Sequence, residues 1–155
     1  MYAIIKLRGS VGIRPEIKYT LGLLRLHRVN HCAVVEENAY YKGMIKMVNS
    51  YVGWGEISEN ELEELLKLRG RLEGGKQLTD EYVQSHMDFE SIKELAHLLY
   101  LGEVKMKDLK GYKIKPIFRL HPPRKGHKSI KRTVKEGGEL GYQGERINEL
   151  LHKMR

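Results

Sequence analysis

Between residues 2 and 57 the spacing of apolar residues switches repeatedly between two and about 3.6, the periods of strand and helix. From Tyr2 to Arg8, Ala3, Ile5 and Leu7 alternate with Lys6 and Arg8, the pattern of a strand with one face toward water. A turn follows over Gly9 to Arg14. Pro15 and Glu16 then suit a helix start, because proline fits the first turn and an acid complements the positive end of the dipole. Ile17, Leu21 and Leu24 carry this helix to about Leu26. Gly22 inside it costs about 1 kcal/mol against alanine, which implies close packing at that point. Cys32 to Glu36 reads as a second strand. Asn38 can cap a second helix with the stripe Tyr41, Met44, Ile45 and Val48, and Tyr51 to Ile57 is a third strand around Trp54. This order of strand, helix, strand, helix, strand makes a small mixed core of three strands and two helices. It leaves the pairing open, and helical connections by themselves favour parallel strands.

Residues 58–155 read differently. Ser58 with Glu61 and Ser91 with Glu94 make capping-box patterns, each before a leucine-rich helix, and Thr79 can cap a short helix between them. Gly74-Gly75 is expected to end the first of these helices and Gly102 the last. Lys113 to Leu120 reads as a strand with Ile114, Phe118 and Leu120 on one face. Gly137, Gly138, Gly141 and Gly144 mark an irregular crossing, and Ile147, Leu150, Leu151 and Met154 a closing helix. The chain thus divides into a core, 1–57, and a mostly helical extension, 58–155.

Charge divides the extension again. The whole chain is +8, but residues 58–109 are net −5 and residues 110–155 net +9. Lys110 to Lys135 holds ten Lys or Arg, two His and no carboxylate. Like charges packed so densely repel one another, and their use is to meet a polyanion. His121-Pro122-Pro123 stiffens the base of this stretch, since proline cannot donate to a ladder or helix. Arg124, Lys125, His127 and Lys128 surround Gly126, and Lys131, Arg132 and Lys135 follow. In the first half, Arg8, Arg14, Lys18, Arg25 and Arg28 form a sparser basic set. Extended basic loops suit folded RNA better than a major groove, which asks for a compact recognition helix. The acidic middle is expected to face solvent or protein.

Other chemistries find little support. The chain has one cysteine, so no internal disulfide is possible, and no apolar run approaches the roughly 20 residues that span a bilayer. His27, His31 and Cys32 straddle a helix end and a strand, so their side chains diverge, and no metal or cofactor is expected. GGELGYQG lacks the pattern of a phosphate loop. No nucleophile stands beside a base. Two alternatives to a structural RNA-binding protein are an RNA-modifying or RNA-cleaving enzyme using His121 or His127, and a protein-interaction adaptor using 58–109.

The segments LRLHPPRKGHKSIKRTVKEGGELG, VNHCAVVEEN and YKGMIKMVNSYVGWGEI resemble the large-subunit ribosomal protein of the L-thirty family, archaeal type. The resemblance covers essentially the whole chain. Residues 1–57 are similar to the universal core, and 58–155 to the extension of archaeal and eukaryotic members. Eukaryotic relatives carry an added basic N-terminal arm, and a chain that starts at its first strand points to an archaeon. The resemblance implies an α+β fold, with an antiparallel three-stranded sheet and helices packed on one face in a ferredoxin-like layer, and a non-enzymatic constituent of the cytoplasmic large ribosomal subunit. Large-subunit (23S) rRNA is its implied partner, with the 5S rRNA region and neighbouring ribosomal proteins nearby and neither membrane nor small-molecule substrate. RNA contacts are implied at Arg119, His121, Arg124 and His127, in the matching motif.

Overall fold

The computed structural model describes residues 1–155. Strand β1 (Tyr2–Lys6) lies at the centre of the sheet, antiparallel to β2 (His31–Val35) on one side and to β3 (Val52–Glu56) on the other. Helix α1 (Pro15–Leu23) joins β1 to β2, and α2 (Ala39–Val48) joins β2 to β3. The antiparallel pairing is the one the family resemblance implies, not the one helical connections alone suggest. Asn38 caps α2, its Oδ1 accepting from the Tyr41 N–H at 2.8 Å. Helix α1 stops three residues earlier than its leucine spacing suggests, because Arg25 takes a left-handed φ of 61°. Gly22 is not a point of close approach: the nearest atom to a Cβ placed there is His27 Cε1, at 4.0 Å.

The sheet has five strands rather than three. β4 (Phe118–Arg119) adds antiparallel to β2, and β5 (Gly141–Tyr142) adds parallel to β3, giving the order β4-β2-β1-β3-β5. The extension therefore contributes both edges. β3 admits this neighbour because Gly55 has no side chain: a Cβ there would stand 2.1 Å from the Gly144 carbonyl oxygen.

Both faces of the sheet are covered, not one. Tyr2, Ile4, Ala33, Val35 and Val52 pack against Leu21 and Leu24 of the first connection and Ile45 and Val48 of α2. Ile17 and Met44 lie at the margin of this layer, half-buried. Ala3, Ile5, Leu7, Cys32 and Val34 pack the opposite way, into a larger cluster built from the extension. Every residue of β1 is buried as a result, Lys6 included, although alternation alone puts Lys6 toward water. Its ammonium donates to Ser10 Oγ and to the His27 carbonyl at 3.2 Å. Burial, and then the charge of Lys18, lowers its pKa.

The extension consists of α3 (Glu59–Arg69), α4 (Asp80–His86), α5 (Ile92–Leu101) and α6 (Ile147–Met154), with the two short edge strands. Ser58, Thr79 and Ser91 each cap the helix that follows. The boxes are half-formed. Asn148 Oδ1, not Glu61, accepts the Ser58 N–H, and Glu94 turns to the N–H of Glu90. Glu61 instead faces Arg155, whose Nε lies 3.3 Å from Glu61 Oε1, while Glu64 takes Arg155 Nη1 at 2.8 Å. Helix α3 ends at Gly70, four residues before the glycine pair, which lies in the turn of a small pairing between Arg71 and Gln77. The strand expected over Lys113 to Leu120 is reduced to Phe118–Arg119. Lys113 adopts a left-handed φ of 58°, and Pro116 has no N–H to give a ladder. Ile114, Phe118 and Leu120 nonetheless all point into the larger cluster.

Candidate nucleic-acid interface

The cationic loop takes its shape from a helix end. The last carbonyls of α6 have no partner within the helix. His121 N–H donates to the Met154 carbonyl and Arg124 N–H to that of Lys153, both at 3.0 Å. Gly126 N–H closes a tight turn onto the Pro123 carbonyl at 3.0 Å, with Lys125 and Gly126 both at left-handed φ. Arg124 and Lys125 thereby gather near the negative end of α6. Both are exposed, and neither meets a carboxylate.

His121 and His127 behave differently from the lysines and arginines around them. His121 lies with Nδ1 2.6 Å from its neighbour's carbonyl, that of Pro122, and Nε2 2.7 Å from that of Arg155, so its ring ties the loop to the end of α6. His127 Nδ1 is bonded to Glu139 Oε2. The other oxygen of Glu139 accepts the Lys128 N–H at 3.3 Å, and Glu139 N–H donates to the Ser129 carbonyl at 2.9 Å. A stretch without acids thus receives one from behind. Leu140 N–H to the Arg132 carbonyl and Gly138 N–H to that of Thr133 complete this second arm. Gly138 is required, since a Cβ would come within 2.0 Å of the Arg132 carbonyl oxygen. Lys128, Lys131, Arg132 and Lys135 remain exposed on its outside.

The first half supplies cations to the neighbouring edge. Arg119 stands across from His31 in the β4–β2 register. The His31 pKa is lowered by burial first, then by Arg119, His27, Arg28 and Lys6. Arg28 and Arg119 are thus brought together around one half-buried imidazole, and Arg28, like Arg14 and Lys18, is exposed. Arg8 is turned elsewhere: its guanidinium lies 5.2 Å over the Tyr51 ring and donates to the Ser50 carbonyl. Three cations not singled out from the sequence, Arg69, Arg71 and Lys115, join Arg119 around a cleft of about 150 Å³. Arg69 and Arg71 lie in the acidic middle of the chain, and only folding shows them beside the basic stretch.

Of all the Lys and Arg side chains, only Lys67, Lys105 and Arg155 come within ion-pair reach of a carboxylate. The one tryptophan is no open stacking platform. Trp54 is wedged between Tyr2 and Tyr142, with ring centroids 5.2 and 4.8 Å away, and donates Nε1–H to Asn49. Cys32 is fully buried, its thiol pushed up to about 12 by desolvation, which removes it as a nucleophile or ready metal ligand. No three His, Cys, Asp or Glu side chains converge as a metal site, and no helix is long and apolar enough to cross a membrane.

Comparison with known proteins gives a consistent result. The family described as Ribosomal protein L30p/L7e matches residues 2–52. Large ribosomal subunit protein uL30 of Methanocella arvoryzae is 54% identical over 155 residues, all of both chains. The protein of that name from Methanothrix thermoacetophila is 55% identical, again over the whole of both chains. That from Archaeoglobus fulgidus is 48% identical over the same full span. The chain belongs to the large ribosomal subunit protein uL30 family.

Proposed function

We propose that this chain is a structural, non-enzymatic constituent of the large ribosomal subunit that grips the backbone of large-subunit (23S) rRNA. The observation that carries the reading is the set of exposed, unpaired cations on a loop held to α6 by backbone hydrogen bonds. Arg124, Lys125, Lys128, Lys131, Arg132 and Lys135 meet phosphates, and Arg28 and Arg119 continue the contact along the β2–β4 edge. Arg14 and Lys18 extend it across α1, and Arg8 borders it through its Tyr51 contact. His121 and His127 shape the loop from within, since their recorded bonds go to protein groups. Residues 1–57 and 58–155 act as core and extension of one RNA-facing body. The acidic helices turn to solvent or to neighbouring ribosomal proteins, and the 5S rRNA region lies near.

A loop already fixed in shape loses little entropy on binding. Each phosphate neutralised adds about one unit to the slope of log affinity against log salt. Changing Arg124, Lys125 and Lys128 together to Ala is expected to lower that slope by two to three units, on the order of one per contact. The fold, followed by circular dichroism, should persist because these side chains contribute nothing to either apolar cluster. A folded triple variant with the original affinity and slope would move the RNA interface away from this loop.

A further inference from the structure

The cleft at the end of α3 is built by backbone contacts. The Lys115 N–H donates to the Arg71 carbonyl at 2.8 Å, and Leu72 bridges to Ile114. Arg71 and Lys115 therefore stand side by side wherever their long side chains swing. Arg69 enters from the last turn of α3, and Arg119 from β4. Gly75 and Ile117 complete the lining, so four cations and no carboxylate surround about 150 Å³. Arg69, Arg71 and Lys115 are each partly withdrawn from water. Their donors are almost unspent: one bond, from Arg71 to the Gly70 carbonyl at 3.3 Å, is all the four side chains make. Like charges gathered around a void repel one another unless an anion joins them.

We propose that this cleft cradles a phosphate group of the rRNA backbone, at a place distinct from the 121–135 loop. The identification rests on the rRNA-binding reading above. Guanidinium forks match phosphate oxygens two at a time, and three of the four cations are arginines. No aromatic side chain lines the cleft, so a stacked base has no platform there. The space of about 150 Å³ is well above the roughly 10–15 Å³ that a single water needs, leaving room for a tetrahedral oxyanion. Arg119 also faces His31, which links the cleft to Arg28 and gives the RNA strand a continuous cationic path.

The test compares full-length proteins binding a large-subunit rRNA transcript across a salt series. The variants are Arg69→Gln/Arg71→Gln/Lys115→Gln, a charge-keeping Arg69→Lys/Arg71→Lys, and the loop triple. The glutamine variant is expected to lose at least about one unit of salt slope, and the lysine variant to keep the slope while binding more weakly. The lysine variant reports even if the glutamine variant fails to fold. Unaltered affinity in the lysine variant, or an unaltered slope in a folded glutamine variant, overturns the proposal. A parallel titration with inorganic phosphate separates a free anion from a backbone one. Saturation by inorganic phosphate at micromolar concentration, with rRNA binding untouched by the variants, also overturns it. If the wild type itself binds rRNA without salt dependence, the broader rRNA reading fails. If the wild type and the loop variant behave as expected and the cleft variants match the wild type, the cleft alone fails.

Discussion

The two faces of the sheet are buried by different means. One is covered from nearby in the chain, by the helices that connect its own strands, in a cluster of 10 buried residues. The other is covered from far along the chain by the extension, in a cluster of 27. The first cover follows from local periodicity, since the leucines of α1 and the stripe of α2 must go somewhere. The second is a long-range event, and β1 shows no sign of it beyond an apolar Ala3 and Ile5, with Leu7 just past its end. The cations follow the same division. Arg28 belongs to the local part, Arg69 and Lys115 to the distant one, and Arg119 on β4 stands between them, beside His31 on one side and the cleft on the other.

The largest expected effect comes from removing the distant cover altogether. A chain ending at Ile57 exposes Ala3, Ile5, Leu7, Cys32 and Val34 together, a contiguous apolar face that invites association. It should lose its cooperative unfolding transition or self-associate, as urea titration and sedimentation would show. A monomeric, cooperatively folding fragment would mean the helix-covered face suffices. Single truncations on either side come next. Leu65→Ala in the distant cluster and Leu21→Ala in the local one should each cost about 2–5 kcal/mol, with Leu65 the greater. The order follows from the fully enclosed surroundings of Leu65 against the half-buried margin near Leu21. Equal shifts in the urea midpoint would make the two faces energetically alike.

The smallest effects are in pH dependence, and they have opposite signs on the two sides. His31 has a folded pKa below its ordinary 6.5, so the fold favours the neutral ring. Stability should fall as pH drops through 6.5 and level off below the folded value. Glu61 has a folded pKa above its ordinary 4.5, raised by burial and only partly offset by Arg155. Its contribution favours the protonated carboxyl, is full below 4.5, and is lost as pH rises through the folded value. His31→Asn should flatten the decline on acidification and Glu61→Gln should steepen it. Urea midpoints from about pH 4 to 8 for the two variants would decide, this window spanning both ordinary values. Parallel curves for the two variants would remove the contrast.

The legible parts of the fold were those set by short-range rules. Asn38, Ser58, Thr79 and Ser91 announce helix starts because capping needs only the next three residues. The central strands and the closing helix follow from period alone. What escaped was whatever depended on a distant partner. Lys6 looks solvent-facing until the first connection closes over it. Lys113 to Leu120 alternates like a strand, but Pro116 and the left-handed Lys113 break its ladder. The glycines of β3 look like weaknesses and are openings for Glu139 and Gly144. The basic loop was visible as composition, while its inner carboxylate, Glu139, lies beyond the acid-free stretch. Arg69 and Arg71 were hidden by the net negative charge of their segment, because charge summed along a chain is not charge summed in space.

The backbone bonds from His121 and Arg124 to the end of α6 carry a consequence for timing. The loop precedes its brace in the chain, so a nascent polypeptide carries the full cationic stretch before the helix that shapes it exists. Until α6 docks, the loop lacks the two carbonyls that accept its His121 and Arg124 N–H groups. Once Lys153 and Met154 supply their carbonyls, the same charges present one geometry. Because Ile147, Leu150, Leu151 and Met154 of that helix pack into the larger cluster, closing the core and fixing the loop's geometry are one event.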